Sequence, residues 1–131
     1  MTGISKAYND AIEKIDSRIF EACKKAGHEE VYIRFSAYDP DEWDIPIDNL
    51  DIIPIKGKIK FKDGVFDVSR FREIYEPFES EIYDSPTWLE ICVIANEMIM
   101  KTKDVHHIYL EMLGDVHKED EVTIATLIMG S

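Results

Sequence analysis

Residues 85–102 read SPTWLEICVIANEMIMKT, and this stretch constrains the fold more than any other. Ser85 followed by Pro86 predicts the start of a helix, because serine is a good N-cap and proline fits the first helical position. The residues that follow are apolar on most sides of a helix that extends to about Thr102. A helix of this composition has to be buried between layers of the fold or by a partner.

A longer helix is predicted at the N-terminus, where apolar residues from Ile4 to Ala26 recur every three or four positions. Ser5 is its predicted N-cap, and Gly27 suits the left-handed residue that follows a helix. A third, short helix is predicted over residues 68–76. The chain therefore offers two substantial helices and one minor one.

Period-two alternation of apolar and polar residues predicts the strands. It occurs over residues 31–38 and 55–62, and again over 106–113 and 122–129, which we expect to form a hairpin. In this hairpin Gly114 is a candidate bulge, and the polar residues 115–121 are predicted to be a loop.

The stretch 39–54 is predicted to be a loop, because Pro40, Pro46 and Pro54 interrupt regular structure. Further on, Asp63 and Gly64 give a strong turn signal. The elements together predict one α+β domain over residues 1–131. We expect a two-layer arrangement, with a mainly antiparallel sheet of four to five strands and two or three helices packed on one face.

The charge is strongly negative, with 27 acidic and 15 basic residues and a formal net charge of -12. This balance argues against binding to duplex DNA or to an anionic membrane, because both require lysine and arginine. No apolar run reaches the length of a membrane span, and no signal-peptide core is present at the N-terminus. Cys23 and Cys92 are predicted to be buried, reduced thiols, which favours a cytoplasmic location.

One face of the predicted sheet is basic and aromatic if the apolar residues of each strand point towards the helices. We call it the basic sheet face, and its candidate ligand-binding residues are Tyr32, Arg34, Tyr38, Lys56, Lys58, Lys60, Lys62 and Tyr109. Cations and rings of this kind suit an anionic small ligand, an acidic protein partner or RNA. The alternative is an ordinary solvated face whose lysines lie against the acidic residues of the 39–51 loop.

The same face would hold His107 and Glu111, which are weak candidates for catalysis. A histidine hydrogen-bonded to a glutamate can act as a general base near neutral pH. A metal site is not predicted, because His106 and His107 would point to opposite faces of a strand. The motifs for zinc, calcium and phosphate binding are missing, and no cofactor is predicted.

Trp43 stands out in the acidic, proline-interrupted stretch. An exposed tryptophan is often an anchor at a protein interface, although it can also fold back to fix its own loop. The candidate partner-binding residues are Trp43 and its acidic neighbours Asp39, Asp41, Glu42 and Asp44.

These observations favour a small acidic cytosolic interaction protein without catalysis. It would be an inhibitor that mimics the charge of a nucleic acid, or a regulator of a protein partner. The alternatives are a module that binds an anionic ligand and a small enzyme that uses the His107 and Glu111 pair. A homodimer is also predicted, because Leu89, Val93 and Met100 add apolar area that two layers would not cover.

Overall fold

A computed structural model describes residues 3–36, 38–39, 42–46, 50–63 and 78–130. The described residues contain two helices, α1 (Gly3–Lys25) and α2 (Trp88–Thr102). They also contain the strands β1 (Arg34–Phe35), β2 (Tyr38–Asp39), β3 (Glu42–Pro46), β4 (Lys58–Asp63), β5 (Tyr83–Asp84), β6 (Tyr109–Glu119) and β7 (Val122–Gly130). The predicted α+β class, with a sheet and helices, is confirmed.

The main sheet has five strands in the order β1-β6-β7-β4-β5. It is mixed, so the prediction of a mainly antiparallel sheet is wrong. β1 runs parallel to β6 and β4 runs parallel to β7, whereas the pairs β6–β7 and β4–β5 are antiparallel. Alternation along one strand specifies its faces and not the direction of its neighbours, which is why the sequence pattern missed this.

The core lies between the helices and one face of this sheet. In the β4–β7 register, Ile59 faces Thr123 and Phe61 faces Ala125, and all four are buried. Ile59, Phe61 and Ala125 belong with Leu110 of β6, Ile19 of α1 and much of α2 to one apolar region. The predicted burial of the second helix is confirmed, with nine of its residues buried: Trp88, Ile91, Cys92, Ile94, Ala95, Asn96, Met98, Ile99 and Thr102.

The helix ends differ in part from the prediction. α2 begins after Thr87 and not after Ser85: the Thr87 hydroxyl accepts from the Glu90 N–H, and the Glu90 carboxylate accepts from the Thr87 N–H. This reciprocal pair is a capping box. Ser85 instead has a positive φ of 50° and accepts a hydrogen bond from the Gly57 N–H. Ser85 and Pro86 therefore belong to the turn before α2 and not to the helix itself.

The ends of α1 show one wrong prediction and one confirmed prediction. The helix begins at Gly3, so Ser5 lies within it and is not the N-cap. Gly27 has φ of 88°, as its predicted left-handed role requires. The N–H of Gly27 donates to Lys24 and that of His28 donates to Cys23, which completes a Schellman motif.

The predicted loop over 39–54 contains a small two-stranded sheet, because β2 and β3 pair there. The strand predicted over 55–62 begins only at Lys58, since Gly57 has φ of 96° and turns the chain. The helix predicted over 68–76 and the Gly64 turn lie outside the described residues.

The C-terminal hairpin is confirmed, and it is longer than predicted. β6 continues to Glu119, so most of the predicted loop over 115–121 is strand. The register shifts between Leu110 and Met112 and again between Gly114 and His117, which confirms a bulge at Gly114. These shifts turn Met112 outward, although the alternation predicted it to face the helices.

Candidate functional site

The two weak catalytic candidates lie in different local environments. His107 lies between α2 and β6, and its Nδ1 is 2.8 Å from Oδ2 of Asp104. Glu111 lies on β6, and its carboxylate lies against Gly130 of β7. A Cβ added to this glycine would be 2.5 Å from the carboxylate. Among the described residues, neither a hydrogen bond nor an ion pair joins His107 to Glu111. The structure therefore does not assemble the predicted general base pair.

Two cations of the basic sheet face are held by carboxylates of the same chain. Arg34 Nη1 lies 3.1 Å from Asp16 Oδ2 of α1. Lys60 pairs with Glu79, and the hydrogen bond from this lysine lowers the pKa of the Glu79 carboxyl. Lys56 and Lys58 are exposed. Internal pairing of this kind is what we would expect of a solvated sheet face.

The strand order also divides the basic sheet face. Arg34 and Tyr109 face each other across β1 and β6, but β7 separates them from the lysines of β4. In the register of β4, β7 and β6, Lys60 is aligned with Ile124 and Ile124 with His117. Lys62 is aligned with Thr126 and Thr126 with Gly114. An isoleucine and a threonine of β7 thus lie between the lysines of β4 and the residues of β6.

Two aromatic candidates lie elsewhere. Tyr32 is half-buried and packs against the core, and Glu30 raises the pKa of its phenol through a side-chain hydrogen bond. Tyr38 is part of β2, in the small second sheet. The predicted ligand-binding residues consequently occupy several separate places on the fold.

The predicted partner-binding residues lie mostly in the small sheet. Asp39 is in β2, and Glu42, Trp43 and Asp44 are in β3. Asp41 lies outside the described residues, as do the side-chain surroundings of the other four. Their role at an interface stays a prediction.

The tip of the C-terminal hairpin, where β6 turns into β7, is an exposed acidic segment that the sequence analysis did not propose as a site. Every residue from Asp115 to Glu121 is exposed, and we call this segment the acidic arm. It carries four carboxylates, on Asp115, Glu119, Asp120 and Glu121, against one lysine. Because consecutive strand residues point to opposite faces, their common exposure means that neither face of the arm is covered.

His117 is hydrogen-bonded within the acidic arm. Its Nδ1 lies 2.9 Å from the Asp115 carbonyl oxygen, and its Nε2 lies 3.5 Å from Glu119 Oε1. The contact with the Asp115 carbonyl, followed by the Glu119 carboxylate, raises the pKa of His117 above its usual 6.5. Protonation of this imidazole would reduce the negative charge of the arm.

Asn96 is the other residue whose role the sequence analysis missed. It is fully buried in α2, and its Oδ1 accepts from the Tyr32 N–H at 2.7 Å and from the Ile33 N–H at 3.2 Å. Its Nδ2 lies 2.9 Å from the Glu30 carbonyl oxygen and from His28 Nδ1. One amide thus fixes the irregular segment before β1 to the helix. The role is structural, and an asparagine within an apolar helical run is its only sequence signal.

The two cysteines are poorly suited to nucleophilic chemistry. Cys23 and Cys92 are free and buried, and burial raises the pKa of the Cys23 thiol to about 11. A thiol with a raised pKa is a poor nucleophile. Within the described ranges, groups of three or more histidine, cysteine or acidic side chains suited to a metal ion are absent.

The apolar residues behind the homodimer prediction are half-buried. Leu89 and Val93 pack against the core, and Met100 is partly covered. The homodimer remains a prediction. In the part of the chain that the structure describes, neither helix is long and apolar enough to cross a membrane. No family model, curated protein or solved structure matches the chain.

Proposed function

We propose that this protein is a non-catalytic, acidic interaction protein that binds a positively charged surface of a protein partner through its acidic arm. The observation that carries the proposal is the exposure of all seven residues from Asp115 to Glu121, with four carboxylates among them. Exposed carboxylates can accept charge-assisted hydrogen bonds from arginine and lysine of a partner.

The distribution of charge elsewhere supports the same proposal. Arg18, Arg34, Lys60 and Lys101 pair with carboxylates of this chain. Such pairing leaves fewer cations for an anionic ligand, while the net charge stays at -12. An uneven negative surface steers a cationic partner and repels nucleic acid and anionic membranes.

The proposal includes both forms of interaction protein that the sequence suggested. An inhibitor would occupy a groove in which its partner binds nucleic acid, and a regulator would bind any other basic surface. In either form the carboxylates of the arm supply the contact. The buried thiols support a cytoplasmic location, where such thiols stay reduced.

A capture experiment with matched variants tests the proposal. The triple variant Glu119→Gln, Asp120→Asn, Glu121→Gln removes three charges from the arm. The control variant Asp10→Asn, Glu13→Gln, Glu21→Gln removes three exposed charges from α1. Each protein is immobilised and exposed to lysate of its source cells at low and at high ionic strength.

We expect the wild-type protein and the α1 variant to retain the same basic protein at low ionic strength and to lose it at high salt. The arm variant should retain much less of it under both conditions. Equal retention by the two variants, or retention that does not change with salt, would overturn the proposal.

A further inference from the structure

The arm belongs to β6, and most of the outer edge of this strand is unpaired among the described residues. β1 covers β6 only at Tyr109 and Leu110. From Glu111 to Glu119, β6 has no strand of the described ranges on the side opposite β7. We call this stretch the free edge of β6. Backbone N–H and C=O groups along such an edge can pair with another chain.

The adjoining part of the same edge already accepts a parallel strand. The Arg34 N–H donates to the Ile108 carbonyl at 2.8 Å, and the Ser36 N–H donates to the Leu110 carbonyl at 3.0 Å. β1 then ends, whereas β6 continues for nine more residues. The free edge is therefore the continuation of a site at which strand pairing already takes place.

The side chains of the free edge indicate which kind of segment would fit it. Met112 and Val116 are 53% and 49% exposed, which is high for large apolar residues on a strand. Three carboxylates, on Glu111, Asp115 and Glu119, accompany them. An extended segment with apolar and basic side chains would match both groups, because cross-strand pairs of like polarity and opposite charge are favourable.

We propose that the free edge of β6 binds an extended, basic segment of the protein partner as an added β-strand. This inference rests on the proposed function and names the mode of recognition. Backbone hydrogen bonds would supply sequence-independent affinity, and the carboxylates would select lysine or arginine.

A second copy of this chain is the less favourable occupant of the edge. Two copies would bring together surfaces of the same sign, since each carries a net charge of -12. The bulges near Glu111 and between Gly114 and His117 also limit regular pairing to short runs. Bulges and charges are devices that restrain self-association at an edge, yet they still allow a short charged segment of another protein to bind.

A pair of synthetic peptides tests strand addition directly. The first peptide has about ten residues in which lysine and valine alternate, long enough to follow the free edge. The second has the same sequence, but every second backbone amide is N-methylated on the edge that would donate to β6. Both keep the same charge, so they differ mainly in backbone hydrogen bonding.

We expect the first peptide to shift the amide resonances of residues 111–119 and to slow hydrogen exchange in the labelled full chain. N-methylation should weaken binding by about tenfold or more, because it removes backbone hydrogen bonds to the edge of β6. Equal affinity for the two peptides, binding of neither, or shifts confined to another surface would overturn strand addition. None of these results would affect the capture test of the arm, so the two proposals can fail separately.

A matched pair of variants places the binding on the free edge. Val116→Lys removes an exposed apolar contact and adds a charge that repels the peptide. Val105→Lys makes the same change at a similarly exposed valine in the turn after α2. We expect weaker peptide binding only for Val116→Lys, and an equal loss for both variants would contradict this placement.

Discussion

Helix α2 and the acidic arm differ most in how far their residues are buried. Nine of the fifteen residues of α2 are buried, whereas all seven residues of the arm are exposed. Packing constrains the nine buried residues of the helix, and a substitution at one of them changes stability. The arm contributes little to the core, so its residues are free to serve recognition. Stability and binding should therefore respond to different substitutions.

The largest loss of stability should come from Asn96→Ala. This variant leaves the half-buried Tyr32 N–H and the buried Ile33 N–H without their acceptor and the Glu30 carbonyl without its donor. We expect the free energy of unfolding to fall by about 3 kcal/mol or more. Glu97→Ala is the control on the same helix, and it should cost about 0.5 kcal/mol or less. Similar urea midpoints for the two variants would show that the amide does not secure this side of the fold.

A smaller loss should follow from Thr87→Ala, which removes the capping box of α2. We expect a cost of about 1 kcal/mol, and Thr87→Ser should restore most of it because serine caps equally well. Thermal unfolding of both variants measures the difference. If Thr87→Ser were as unstable as Thr87→Ala, the hydroxyl would not be the group that matters.

The sequence predicted the elements on which local physics acts strongly. The apolar composition of α2, the Gly27 cap and the C-terminal hairpin all followed from it. Thr87 was missed as the N-cap because Ser85 and Thr87 are both suitable by type. Only the distant Gly57 N–H, which uses the Ser85 hydroxyl, separates their roles. A hydrogen bond between residues 28 positions apart leaves no pattern in the local sequence.

The candidate site was harder to predict, for two physical reasons. Alternation gave the faces of β1 and β4 correctly, but it could not show that β7 lies between Arg34 and the lysines. The acidic arm resembled a loop because nearly all of its residues are polar. Met112 resembled a core residue because the register shift beside it, which breaks the period of two, leaves no sequence pattern. Strand order and bulges depend on pairing between distant segments.

The arm should tolerate the substitutions that the core does not. We expect Glu119→Gln, Asp120→Asn, Glu121→Gln to change the free energy of unfolding by about 0.5 kcal/mol or less, since these side chains are exposed. A small gain is consistent with removing adjacent like charges. Urea unfolding of the triple variant beside the wild-type protein measures the effect. A loss above about 1 kcal/mol would mean that the arm supports the fold, and the contrast with α2 would then disappear.

The smallest expected effect concerns the protonation of His117. Contacts with the Asp115 carbonyl and the Glu119 carboxylate raise its pKa in the folded chain above the usual 6.5. Because the folded pKa is raised, protonated His117 contributes stability to the folded chain. This contribution is fully present below pH 6.5 and is lost as the pH rises through the folded pKa. An NMR titration of the imidazole should therefore give a higher midpoint in the folded chain than in urea. Glu119→Gln should lower the folded midpoint and Glu13→Gln should leave it unchanged. Equal midpoints in the folded and unfolded chains would show that the contacts of His117 within the arm do not persist in solution.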